Sequence, residues 1–372
     1  MSSAVSPRRS VSLVIFSLSG GGAERVMTNM ANYWTEKGWE ITLFTFVGEE
    51  EKPAYPLHER VNLTQLGIWE HGKKVQPGID VFKKLWRLRK ALWDSHPDCV
   101  ISFMDKVNVA VLAATRGLGI PVIVSERTNP WKFPIEPLWT RLRRWTYPFA
   151  DALVVPSRRI AENLRPWLEN RVVHIPNAVY NWDESRIPCT KRDTAHTLIT
   201  AGRLEYEKAY DILVHAFSLV AAKHPLWELR ILGEGKLRPT LEKQIGELGL
   251  NGRVHLEGWV DDPYRYFRAS RIFVLSSRFE GFPNVLFEAM ACGIPAIAFA
   301  CDYGPDEIVR HDVDGILVPP ENVDALAEAM DRLMSDEQER RRLAERAPEV
   351  LERFSPEKVM DMWENLINRC MA

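Results

Sequence analysis

Residues 276–295 read SSRFEGFPNVLFEAMACGIP. Just before them, Arg271 to Leu275 is a short β-branched and apolar run, the pattern of a buried parallel strand. Phe282-Pro283 then opens a helix, because a proline at the first helical position gives up an N–H that has no partner there. Gly293 stands where a helix takes a left-handed terminating residue, and Pro295 lies just beyond it. The helix predicted between them is mostly apolar: Val285, Leu286, Phe287, Ala289, Met290 and Ala291.

Two carboxylates interrupt this unit. Glu280 precedes the helix, and Glu288 falls in its second turn among apolar neighbours, where a carboxylate is costly unless donors reach it. The helix start offers N–H groups and a positive dipole end, which suits a phosphate. A seat for an anion beside two acceptors for hydroxyls fits a nucleotide-sugar. Alone, the pair reads equally well as a surface loop with a partly exposed helical glutamate.

A chain of 372 residues exceeds one ordinary core, so two domains are expected. The net charge of −2 conceals an asymmetry. Residues 1–180 hold 24 Lys+Arg against 17 Asp+Glu, and the remainder 24 against 33, so a basic half precedes an acidic one. Such a basic half is expected to face something anionic. The five cysteines have no CxxC or zinc spacing and read as free thiols of a reducing cytosol. Val11 to Leu18 is too short an apolar run for a spanning helix, and no cleavage-like end follows it, so it reads as a first buried strand.

Gly20-Gly21-Gly22 follows that strand, and a helical pattern runs from Ala23 to Lys37 before a strand at Glu40 to Val47. A glycine turn at a strand's C-terminal end lets backbone approach a phosphate or sugar, although the third glycine of the dinucleotide fingerprint is missing. Further strands are expected at Asp98 to Phe103, Pro121 to Ser125, Asp151 to Pro156 and Val172 to Ile175, with helices between them. Glu126-Arg127 follows one strand end, either as an acceptor-binding pair or as a surface ion pair.

Two stretches carry basic and aromatic residues together. One, Asp80 to Asp94, includes Lys83, Arg87 and Lys90 with Trp86 and Trp93. The other, Trp131 to Phe149, includes Trp139, Arg141, Arg143, Arg144 and Trp145. This is the composition of a helix lying on an anionic membrane, and also of an amphipathic helix packed on a sheet. The acidic second half argues against nucleic acid.

Asn177 to Ala195 has turn formers and no periodicity, and the domain boundary is drawn there. A second alternating set follows, with strands at Thr197 to Ala201, Glu228 to Leu232, Arg253 to Leu256, Arg271 to Leu275, Ala296 to Phe299 and Gly315 to Val318. Arg203 and Lys208 close its first strand and are suited to a diphosphate, or are surface cations beside Glu205 and Glu207. Gly233 closes the next strand.

Taken in order, SGGGAERV, VVPS, IPNAV, AGRLEYEKAYDILVHAF, GEG, EGFPNVLFEAMACGIPAIAF and GILVPP resemble retaining glycosyltransferases of the GT-B fold, whose hallmark is a Glu-x7-Glu motif. SGGGAERV and SERTNP look most like bacterial members that extend polyprenol-diphosphate-linked glycans. The resemblance implies two doubly wound Rossmann-like domains facing a central cleft: an acceptor domain over 1–180, a nucleotide-sugar domain over 181–354, and a helix over 355–372 packing back toward the first. It implies that Arg203 and Lys208 hold the donor diphosphate, that Glu280 contacts donor sugar hydroxyls, and that Glu288 binds the ribose. Gly281, Phe282, Pro283, Asn284 and Val285 would seat phosphate or sugar, with Gly233, Gly21 and Gly22 nearby.

The sequence departs from the family at three points. Ala209 replaces a common glycine, Ala178 interrupts a common PNG turn, and Glu126 falls where many relatives carry a histidine-bearing segment. Transfer of a hexose or N-acetylhexosamine, from a UDP-sugar to a lipid-linked glycan, is implied, with no cofactor and no metal. Retention without a nucleophile suggests front-face attack, a donor phosphate oxygen taking the acceptor's proton. The place implied is the cytoplasm, at the anionic inner face of the plasma membrane. A GT-B epimerase and a non-catalytic nucleotide-sugar-binding protein are the competing readings.

Overall fold

Seven parallel strands make the first sheet of the computed structural model, which describes residues 9–48, 50–69, 79–127, 135–180 and 196–372. They are β1 (Ser10–Ile15), β2 (Glu40–Thr45), β3 (Asn62–Gln65), β4 (Cys99–Phe103), β5 (Val122–Ser125), β6 (Ala152–Val155) and β7 (Val172–His174). Their order is β3-β2-β1-β4-β5-β6-β7. Val11 sits opposite Ile41 on one side and Cys99 on the other, so the apolar run of β1 is shut in by neighbours. This unit runs to Pro176 and also takes in Val359–Ala372.

The second unit, Asn177–Lys358, has six strands among its described residues. They are β8 (His196–Ala201), β9 (Trp227–Leu232), β10 (Val254–Gly258), β11 (Ile272–Leu275), β12 (Ala296–Phe299) and β13 (Gly315–Val318), ordered β10-β9-β8-β11-β12-β13. Side chains alternate between the two faces of a strand. Leu198, Ile272, Val274, Ile297 and Phe299 enter one core. Ile199, Phe273, Leu275, Ala296 and Ala298 enter the other. Both faces are covered, which is why β11 is apolar without interruption.

In each sheet the order reverses beside the unit's first strand: β1 lies between β2 and β4, and β8 between β9 and β11. Open α/β sheets bind ligands outside the carboxyl ends of such strands. The α/β class and the paired Rossmann-like sheets match the expectation, and most strand limits agree within a residue or two.

The differences have local causes. β3 is not foreseen, because Asn62–Gln65 is a polar edge strand, half-exposed and paired only with β2. Within Trp131 to Phe149 the described helix is Pro137–Thr146, ended by a 3-10 turn at Tyr147–Phe149, and residues 128–134 lie outside the described residues. So does most of the expected linker, 181–195.

Helix Pro356–Met371 buries Val359, Met360, Trp363, Leu366 and Ile367. Trp363 stacks on Phe103 of β4 with centroids 6.2 Å apart, and Lys37 pairs with Glu364 at 2.7 Å. Trp363→Ala is expected to lower stability by about 3–5 kcal/mol, as for other buried aromatics. Equilibrium urea denaturation measures this, and a loss below about 1 kcal/mol would remove the helix from that core.

Candidate active site

The loops after β8 and β11 are joined by side chains. Lys208 Nζ lies 2.6 Å from Glu280 Oε1, and Ser277 Oγ donates to the same oxygen at 2.6 Å. No described residue donates to Glu280 Oε2. Ser276 Oγ donates to the Lys208 carbonyl at 2.8 Å, and the Arg278 N–H to the Glu207 carbonyl at 2.8 Å. Helix Asn284–Ala291 begins four residues after Glu280, with Pro283 at its N-cap giving no side-chain cap. The first-turn N–H groups and the dipole therefore face the same loop that carries Glu280. Glu288 is buried in this helix. Phe282 packs on Phe287 and Phe354 and fixes the entry of the chain.

Arg203 is 72% exposed and reaches Glu207 at 2.8 Å, so it lies beside the turn that presents Lys208 rather than within it. Gly233 has φ +129, and a Cβ there would fall 2.1 Å from the Gly202 carbonyl oxygen. Only glycine lets the ends of β8 and β9 approach so closely. Ala209, between the 3-10 turn Tyr206–Lys208 and helix Tyr210–Ala221, adopts a left-handed conformation, φ +50 and ψ +39. A side chain there costs roughly 1–2 kcal/mol, a strain that glycine would not have.

Arg278 was not singled out by sequence. Its guanidinium is nearly buried, pairs with Asp211 at 2.6 Å and Glu321 at 3.0 Å, donates to the Tyr206 carbonyl and lies 4.2 Å from the Tyr206 ring centroid. It locks the loop after β11 to the turn bearing Lys208. An arginine within SSRFEG carries no sequence signal of this, since its partners lie far along the chain.

In the first unit, Gly21 and Gly22 start helix Gly22–Glu36 after β1. Glu126 follows β5 and is 2% exposed. Tyr147 Oη–H donates to its Oε1, and Arg143 lies 3.6 Å from that oxygen. Asn108 Nδ2 donates to the Tyr147 hydroxyl at 3.1 Å and to the Ser125 carbonyl at 3.0 Å. Burial pushes the Glu126 carboxyl up to about 7, with Asp105 adding to the rise and Arg143 and Tyr147 opposing it. Arg127 lies 4.6 Å from the Phe103 ring centroid, and burial lowers its pKa to about 9.

Helix Ile79–Asp94 exposes Phe82, Trp86, Trp93, Lys83 and Lys90, while Arg87 donates to the Leu66 carbonyl at 2.8 Å. On helix Pro137–Thr146, Arg141, Arg144 and Trp145 are exposed. Arg143 on the same helix turns inward to Glu126, and Trp139 packs against Trp69. Helical periodicity separates these two sides. Among the described residues no helix is long and apolar enough to cross a membrane.

Residues 20–180 match the family 4 glycosyltransferase profile, and residues 183–350 match the group 1 glycosyl transferase profile. The chain belongs to the group 1 and family 4 glycosyltransferases. A relative in Campylobacter jejuni is 29% identical over 359 residues, covering 96% of this chain and 98% of its own. It is a GalNAc-α-(1→4)-GalNAc-α-(1→3)-diNAcBac-PP-undecaprenol α-1,4-N-acetyl-D-galactosaminyltransferase. TarM superposes with a TM-score of 0.84 at 14% identity, covering 98% of this chain and all of its own. Anabaena HepE, solved with UDP, superposes with a TM-score of 0.77 at 19% identity, covering 96% of this chain and 99% of its own.

This glycosyltransferase has one Asp-x-Asp spacing, Asp312-Val313-Asp314, of the kind that can clamp a metal. Both carboxylates are engaged: Asp314 is fully buried on Arg310 at 2.6 Å and Arg353 at 3.4 Å, and Asp312 meets Arg332 at 2.8 Å.

Glu126 sets a pH dependence of the transferase's stability. Its folded-state pKa lies above the unfolded value, so its neutral form stabilises the fold fully below about 4.5, and that contribution is lost as pH rises toward 7. The shift corresponds to about 3 kcal/mol. Glu126→Gln keeps a carbonyl for Tyr147 and removes the charge. Thermal denaturation is expected to give a variant that gains stability over the parent from pH 5 to pH 8; a constant difference would refute the assignment.

Proposed function

We propose that the chain is a retaining glycosyltransferase that moves a hexose or N-acetylhexosamine from a UDP-sugar onto a lipid-linked glycan, without a metal. The observation that carries this reading is the 2.6 Å pair of Lys208 and Glu280 beside the start of helix Asn284–Ala291. A departing nucleoside diphosphate gains negative charge at the oxygen that leaves the sugar. A lysine already held in position stabilises that charge with little reorganisation, and the N–H groups near Asn284 and Val285 add to it. Arg203, free to swing from Glu207, closes on the diphosphate from the solvent side.

Glu280 Oε2 is available to a donor sugar hydroxyl, and Glu288, on the helix that follows, is assigned to the ribose hydroxyls. Positive charge from protein groups takes the part a divalent cation has in other transferases, and arginines occupy the Asp312-Val313-Asp314 carboxylates. The N-acetylgalactosaminyltransferase activity named for the C. jejuni relative supports an N-acetylhexosamine and a diphospho-undecaprenol-linked acceptor. The UDP bound by HepE supports the nucleotide. The acceptor belongs to the first unit, near Glu126 and Arg127.

The exposed Phe82, Trp86, Trp145, Lys83, Lys90, Arg141 and Arg144 support contact with an anionic membrane on its cytoplasmic side. Arg87, Arg143 and Trp139 have other partners and are left out of that surface.

Lys208→Ala and Glu280→Ala are each expected to lower kcat/KM for transfer of radiolabelled N-acetylhexosamine by about 10²-fold or more, with circular dichroism showing both still folded although Lys208→Ala lowers the unfolding midpoint. Retained transfer in either variant would sink the site. Arg141→Ser with Arg144→Ser is expected to weaken binding to phosphatidylglycerol vesicles by about tenfold or more, and added salt should weaken the parent likewise. An unchanged partition in sedimentation would sink the membrane face.

A further inference from the structure

Glu126 is placed and held in a way that a purely structural carboxyl does not need. It stands at the C-terminal end of β5, one strand from the β1–β4 reversal. Its Oε1 is taken by Tyr147 and faced by Arg143, while no described residue donates to Oε2. Arg143 Nε, buried beside it, has no hydrogen-bond partner among the described residues. Unsatisfied buried polar atoms are few in native proteins, and each asks for an explanation.

The backbone next to this carboxyl is also unusual. Met104, at the end of β4, has φ +80 and ψ +144, and its N–H donates to the Ser125 carbonyl at 3.1 Å. A side chain in that region of φ/ψ is strained, and such strain collects at ligand sites. The network of Ser102, Asn108, Ser125 and Tyr147 is otherwise satisfied and fixes the position of the carboxyl.

We propose that Glu126 is the receptor for a hydroxyl of the acceptor sugar, which donates a hydrogen bond to Oε2 of the ionised carboxylate. This rests on the reading of the first unit as the acceptor side. The ligand class is a neutral sugar hydroxyl, since an ionised carboxylate repels a uronate. A hydrogen bond to a charged acceptor is worth more than one to a neutral acceptor, so capture follows ionisation. The titratable groups facing the carboxyl are Arg143 and Tyr147 from the helix and turn after residue 136, and Asp105 from helix Asp105–Thr115. Asn108 and Ser125 are polar and uncharged. Because burial dominates, the ionised form is filled only as pH passes neutrality.

The test uses the full chain and a water-soluble short-chain prenyl diphosphate-linked N-acetylgalactosamine, whose bridging phosphates do not titrate near neutrality. Its affinity is measured by calorimetry at pH 6 and pH 8, and its KM by transfer. The parent is expected to bind about tenfold more tightly at pH 8. Glu126→Gln is expected to remove that dependence and raise the acceptor KM at pH 8 about tenfold, with the UDP-sugar KM unchanged. Tyr147→Phe, which removes a bond to the carboxylate, should move the rise to higher pH; a role confined to packing would not. If the probe binds the parent and Glu126→Gln alike, with the same pH dependence, this proposal fails and the acceptor reading stands. If the parent neither binds nor glycosylates the probe, the acceptor reading fails and takes the proposal with it.

Discussion

Lys208 and Glu280, 72 residues apart in sequence, meet at 2.6 Å. Neither is well hydrated, and a carboxylate so enclosed is tolerable only with a cation and donors in place. The pair can form only if β8 and β11 are neighbours, since each residue sits in the loop that leaves one of those strands. That adjacency requires β9 and β10 to build outward on one side and β12 and β13 on the other. The topology of the second unit is thus the condition for one ion pair, and Arg278 and the Gly233–Gly202 approach hold the remaining freedom of the loops.

The two units use one plan with different partners. Glu280 and Glu126 both follow the C-terminal end of an inner strand, and both have Oε1 occupied by side chains while Oε2 meets no described donor. They differ in the strength of the holding charge. A lysine at 2.6 Å contacts Glu280, whereas the arginine at Glu126 stands 3.6 Å away and burial outweighs it. The same residue type therefore meets a lysine in direct contact in one place, and in the other stands where burial lifts its pKa to about 7.

Much of this was legible in the chain itself. Buried parallel strands are apolar runs bounded by turn formers, and β11, β12 and β13 were delimited to within one residue. The paired sheets and the family followed from the same residues. What sequence missed depends on distance along the chain. Arg278 gains its importance from Asp211 and Glu321, and Arg143 turns from the expected outer face because Glu126 and Tyr147 lie beneath it. Edge strand β3 escaped notice because a strand paired on one side has no need of an apolar run.

Helix Pro356–Met371 closes the core of the first unit with residues made after the whole second unit. On the ribosome, then, the second unit can be complete in sequence while the first still lacks a wall beside Phe103.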